Sequence, residues 1–159
     1  MFQLKNVLIV LFKIGIMKKC IVLVLLLVSS LSKAQNQEIQ KTIETFFEGM
    51  HSRDTLKIKS VCANDLILQS IIEMDTHNKI VNEKPKQFYK SITEIPKFMV
   101  FEEKILSYNI NIDGTLAQVW TPYEFYLNDK LSHKGVNCFT LFKENDTWKI
   151  IYIIDTRRK

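Results

Sequence analysis

The chain has 159 residues, 47% of them hydrophobic and 25% charged, with four glycines and three prolines. Those proportions describe an ordinary globular protein of one domain and exclude collagen-like and disordered classes. The formal charge of +5 is not a nucleic-acid signal: residues 1–34 hold five bases (Lys5, Lys13, Lys18, Lys19, Lys33) and no acid, which leaves 17 of the 22 bases against 17 acids.

From Met17 the sequence reads MKKCIVLVLLLVSSLSKAQ. Lys18 and Lys19 form a positive start, Cys20–Val28 an unbroken apolar run, and Ser32-Lys33-Ala34 a small-x-small cleavage site. This is the layout of a secretory signal peptide, with an apolar core too short to span a bilayer. Residues 1–16 are superfluous to it, so Met17 is a candidate true start. An uncleaved anchor is the competing reading, opposed by Ser29, Ser30 and Ser32, which dilute the end of the run. Residues 1–34 are therefore expected to be removed. The product, residues 35–159, would be a single domain, periplasmic or secreted, with no membrane span. Two cysteines remain in it, Cys62 and Cys138. An oxidising compartment permits a disulfide between them, and two buried free thiols are the simpler reading. No Cys or His spacing suggests a metal, and no cofactor motif occurs.

Ile39, Ile43, Phe46, Phe47 and Met50 recur at helical spacing and predict an amphipathic helix over roughly 37–51. Asp54 is placed to cap a short helix through about Cys62 that buries Leu56 and Val61. Leu66–Ile72 reads as a strand, and Lys79–Asn82 as a second after a polar turn at Asp75–Asn78. Pro85 suits the first turn of a third helix burying Phe88 and Ile92, and Pro96 forbids its continuation. Four long strands follow, Val100–Ile112, Thr115–Leu127, Leu131–Lys143 and Thr147–Arg157. They are separated by the turn dipeptides Asp113-Gly114, Asn128-Asp129 and Asn145-Asp146. Helices first and an antiparallel meander later predict an α+β fold.

A two-residue turn at Asn128-Asp129 would put Glu124 opposite His133, Trp120 opposite Asn137 and Gln118 opposite Phe139. Trp148, Ile150, Tyr152 and Ile154 would join that face, which the helices are expected to cover. The pair Glu124–His133 then reads in two ways. It is either a cross-strand charge pair on the rim, contributing roughly 0.2–1 kcal/mol, or an acid/base or ligand-orienting pair in a pocket. A bulge at Pro122 would move Glu124 to the other face. That other face, with Val119, Tyr123, Phe125, Cys138 and Ile153, is apolar enough to need burial, which a dimer would supply. The terminal Arg157-Arg158-Lys159 reads as a solvated tail, with Asp155 and Arg157 able to pair at the sheet edge.

The element order matches the nuclear transport factor 2-like cone fold, and the residues resemble it too. Ile43-x-x-Phe46-Phe47-x-Gly49 followed by Arg53-Asp54 is similar to the family's first-helix pattern. Asp113-Gly114 with Ala117-x-Val119, and the closing Trp148-Lys149-Ile150-Ile151, are similar to its sheet. The likeness spans Gln37–Arg157 and points towards the exported branch named for lumazine binding, neighbour to the SnoaL-like cyclases and ketosteroid isomerases. It implies N-terminal helices on a curved antiparallel sheet, a conical cavity beneath them, and dimerisation through the outer sheet face.

The resulting expectation is an exported protein that binds a small apolar or aromatic molecule. Trp120, Tyr126, Phe139 and Tyr152 would form the walls, and Glu124, His133 and Asn137 the polar recognition. The enzyme alternative makes Glu124 and His133 an acid/base pair for isomerase or cyclase chemistry. A third reading is a cavity-free interaction module.

Overall fold

A computed structural model describes residues 33–74 and 77–158. The chain divides into two compact units, Met1–Gln37 and Glu38–Lys159. In the first, residues 33–37 are helical; the rest of the expected leader, the start at Met17 included, lies outside the described residues, as do Asp75, Thr76 and Lys159. No described helix is long and apolar enough to cross a membrane. The second unit holds the sheet and its helical cover.

Helix α1 (helical over 33–52) turns the expected stripe inward, and Ile39, Ile43, Phe46, Phe47 and Met50 are all buried. It ends where Arg53 adopts a left-handed backbone (φ 58°). Asp54 then caps α2 (Thr55–Val61) by accepting the N–H groups of Leu56 and Lys57, each at 3.0 Å. The buried residue of α2 is Ile58, and Leu56 is 76% exposed, contrary to expectation. Gly49 sets which side faces in. A Cβ there would lie 2.7 Å from the Ile58 side chain, so the two helices touch through glycine. Helix α3 (Pro85–Glu94) begins at its proline and buries Ile92, with Phe88 packed beside the core.

The sheet has seven strands: β1 (Cys62–Glu73), β2 (Asn78–Glu83), β3 (Phe101–Ile105), β4 (Asn109–Asp113), β5 (Leu116–Leu127), β6 (Lys130–Glu144) and β7 (Thr147–Arg157). Their order is β2-β1-β7-β6-β5-β3, with β4 beside β3 on β5. All pairs are antiparallel except β1 with β7, so the sheet is mixed. The fold is α+β, helices on one face of the sheet. Two of the three expected tight turns, Asn128-Asp129 and Asn145-Asp146, form as expected, with positive φ at all four residues, the backbone that matches the twist of a two-residue hairpin. The third loop is Gly114-Thr115, one residue beyond the expected Asp113-Gly114, because Asp113 pairs with Leu116.

The strand expected over Val100–Ile112 is two strands. The break falls opposite Pro122, whose carbonyl accepts Leu106 N–H at 2.9 Å but which has no N–H to return. Register moves by one residue between β3 and β4 as a result. The irregularity due to Pro122 thus lies in its neighbour, and β5 alternates without interruption. The β1–β7 register also shifts between Cys62 and Ile67, and two bulges interrupt the antiparallel meander. Ser132 is left unpaired between Phe125↔His133 and Tyr126↔Leu131, and Ile151 between Thr140↔Tyr152 and Leu141↔Ile150. Each reverses the facing of the residues beyond it.

Candidate functional site: a cavity with one polar end

Between the helices and the inner sheet face lies a cavity of about 480 Å³, within the usual range of small-molecule sites. Phe46, Phe47 and Phe139 close its narrow end edge-to-face, with ring centroids 5.4–6.0 Å apart, and Phe88 stacks on Phe46 at 6.0 Å. These rings pack the apex and leave the wider end open to a polar cluster.

Glu103 of β3 faces this space because it alternates with Phe101 and Ile105 on the inner side of its strand. Asn137 of β6 donates its amide to Glu103 Oε1 at 2.6 Å. The Glu103 backbone N–H is held by His51 Nε2 of α1 at 2.9 Å, which requires that nitrogen to be unprotonated. Burial keeps His51 below its ordinary pKa, in agreement. Burial also pushes the Glu103 carboxyl up to about 7, against the pull of the Asn137 hydrogen bond. A carboxyl so placed can give or take a proton at neutral pH.

Asp155 and Arg157 lie on the same wall. Arg157 Nε donates to Asp155 Oδ2 at 2.7 Å, its Nη2 to Ser70 Oγ at 3.0 Å, and Ser70 closes the triangle by donating to Asp155. Burial opposes the Arg157 charge, yet Asp155 holds its pKa above the ordinary value. Tyr123, 2% exposed, donates between the Thr156 carbonyl (3.0 Å) and Asp155 Oδ2 (3.3 Å). Burial, then the Asp155 charge, raises its pKa. Its ring crosses Gly135, where a Cβ would fall 1.7 Å from the Thr156 oxygen. His133 stacks on Phe125 (centroids 4.8 Å apart) and is kept towards the neutral form by burial, then by Arg157. Glu83 completes the wall, its carboxyl also pushed up by burial.

Of the residues singled out from sequence, Asn137, Phe139 and His133 line the cavity. Glu124, Trp120, Tyr126 and Tyr152 lie on the outer face, which corrects their assignment. Glu124 and His133 are on opposite sides of the sheet: the Ser132 bulge pairs His133 with Phe125 and Glu124 with Lys134. Glu124 instead accepts the Tyr126 hydroxyl at 2.7 Å. The Ile151 bulge likewise turns Tyr152 outward, where it donates to Gln69. It brings Ile153, Asp155 and Arg157 inward, so Arg157 is part of the cavity wall and not a solvated tail. Glu103, Tyr123 and Asp155 were not picked out as site residues. The alternation Phe101-x-Glu103-x-Ile105 was the available signal for the first, a charge on an otherwise apolar strand face. Cys62 and Cys138 are both free thiols, the former buried. Among the described residues, no three His, Cys, Asp or Glu side chains gather as a metal site.

No family model and no curated protein matches this sequence. Solved structures do. An NTF2-like protein of unknown function from Shewanella baltica superposes with TM-score 0.59 at 16% identity, over 79% of this chain and 95% of its own. A proposed dehydratase of the NTF2-like family from Streptomyces avermitilis gives 0.61 at 11% identity, over 80% and 99%. The β subunit of a proposed aromatic-ring-hydroxylating dioxygenase from Novosphingobium aromaticivorans gives 0.65 at 10% identity, over 81% and 92%. With helices laid over a curved sheet and a cavity between them, this chain has the nuclear transport factor 2-like fold.

Proposed function

We propose that this is an exported small-molecule-binding protein whose ligand occupies the inner cavity, with its apolar body against the phenylalanines and a polar end at Glu103 and Asn137. The observation that carries this reading is the cavity itself: about 480 Å³ left open beside a half-buried, hydrogen-bonded carboxyl that the core packing does not require. A buried ionisable group with no structural ion pair is costly to keep, and such groups concentrate at functional sites. The leader-like arrangement of residues 17–34 supports export to the periplasm or beyond. A second copy of the chain is the partner we propose for the outer sheet face, where Leu116, Trp120 and Phe142 are exposed on adjacent strands.

Native mass spectrometry of the protein expressed with its own leader tests the reading. The expected species starts near Gln35 and carries a reproducible added mass that is lost on denaturation. A species with no added mass, from which soaking with small aromatic compounds also produces none, would overturn ligand binding. A retained leader would overturn export.

A further inference from the structure

The charges on the cavity wall do not balance. Three carboxyls line it, Glu83, Glu103 and Asp155, against one guanidinium, Arg157. Arg157 and Asp155 satisfy each other at 2.7 Å, with Ser70 as third member. Glu103 has for a side-chain partner only the neutral Asn137 amide. No hydrogen bond or ion pair among the described residues reaches the Glu83 carboxyl. His133, the remaining basic group on the wall, is held towards its neutral form. Arg53, close by, is engaged with the carbonyls of Ile95, Pro96 and Met99 and lies over Phe101. Arg157 acts on Glu83 and Glu103 at longer range, set against the neighbouring Asp155 charge, and no cation among the described residues contacts either carboxyl.

A carboxylate withdrawn from water regains its lost solvation only from a counter-charge or from several hydrogen bonds. The other walls independently favour the same kind of occupant. Phe47, Phe101 and Phe125 line the cavity, a wall that suits an aromatic or alicyclic body and that can attract an organic cation where a ring face meets it. Resting on the ligand-binding reading, we infer that the cavity selects a protonated amine on an aromatic or alicyclic body. The ammonium lies at the Glu103–Glu83 end and the apolar part points to the Phe46–Phe88 apex. A carboxylate ligand of the same shape would place a fourth acid in the same space.

The test titrates the full chain with three probes of one shape, 2-(1-naphthyl)ethylamine, 2-(1-naphthyl)ethanol and 1-naphthylacetate, and reads affinity by NMR shifts. At about pH 8 the amine should bind roughly tenfold or more tightly than either other probe. That advantage should shrink as the pH falls through about 7 and Glu103 takes up its proton. The groups at this end are His51 on α1, Glu83 on β2, Tyr123 on β5, His133 and Asn137 on β6, and Asp155 and Arg157 on β7; burial raises Glu83 as it does Glu103, so protonation of Glu83 acts in the same direction. None of these supplies a new negative charge over that range. Glu103→Gln should bring the amine down to the level of the alcohol. Alcohol or carboxylate binding as well as the amine in the wild-type chain overturns the inference and leaves the cavity reading standing. Binding of none of the three at millimolar concentration overturns both.

Discussion

Glu103 shows what it costs to hold a single carboxyl away from water. Unfolded, it releases its proton near 4.5; folded, near 7. Between those values the folded state holds more protons than the unfolded one, so its contribution to stability falls as pH rises and the full penalty stands above 7. The shift corresponds to on the order of 3 kcal/mol. Glu103→Gln keeps the shape and the acceptor for Asn137 and removes the charge. The substituted protein should match the wild type below about pH 4.5 and exceed it by that order above pH 7, as read from urea denaturation at both pH values. His51 and His133, with lowered pKa values, lose stability in the opposite direction, as pH falls through their ordinary range near 6.5. They do so in both proteins and drop out of the difference. A wild-type-to-Gln difference that is flat with pH would show that Glu103 is not held uncharged by the fold.

At the scale of elements, local chemistry set the turns and caps and long-range pairing set the facing. Asp54 could be read as a cap because a short acceptor side chain before a helical run satisfies N–H groups that the helix leaves open. With both bonds at 3.0 Å, Asp54→Ala should cost about 1 kcal/mol, measurable as a lower urea midpoint at unchanged slope. No change in midpoint would mean that Gly49–Ile58 packing alone holds α2. The Asn-Asp turns were equally readable, since few residues tolerate two successive positive φ values. The bulges at Ser132 and Ile151 were not. A bulge is an agreement between two strands about which residue to leave out, and nothing in the composition of either strand announces it. One unpaired serine was enough to separate Glu124 from His133, and one unpaired isoleucine to exchange Tyr152 for Asp155 and Arg157.

Over the whole molecule the sheet has one face covered by helices and one left exposed. The inner one is covered by α1 and α3. The outer one keeps Trp120 at 51% exposure, with Leu116 and Phe142 beside it and half-buried Val136, Cys138 and Ile154 between the strands. Apolar surface of this kind on the outer face of a hydrogen-bonded sheet is suited to an isologous contact with a second copy. A charge at its centre should break that contact: Trp120→Glu is expected to convert the proposed dimer to a monomer in analytical ultracentrifugation while leaving the thermal transition of the chain near its original place. A wild type that sediments as a monomer at all concentrations would remove the dimer proposal.

The sequence by itself determined the stripe on α1, the cap at Asp54, the hairpin turns and the α+β order, hence the fold, because each depends on residues within a few positions of one another. Asn137, Phe139 and His133 could be placed on the inner face by the same alternation, as their strand pairs with β5 unbroken from His133 to Phe142. Tertiary structure alone decided which acid meets which base. Side-chain facing in a sheet has a period of two, so a single unpaired residue reverses everything beyond it. The polar end of the cavity is assembled from six strands, each contributing one or two side chains from positions up to 87 residues apart. Glu103, Tyr123, Asp155 and Arg157 become a site only when that assembly brings them to one wall.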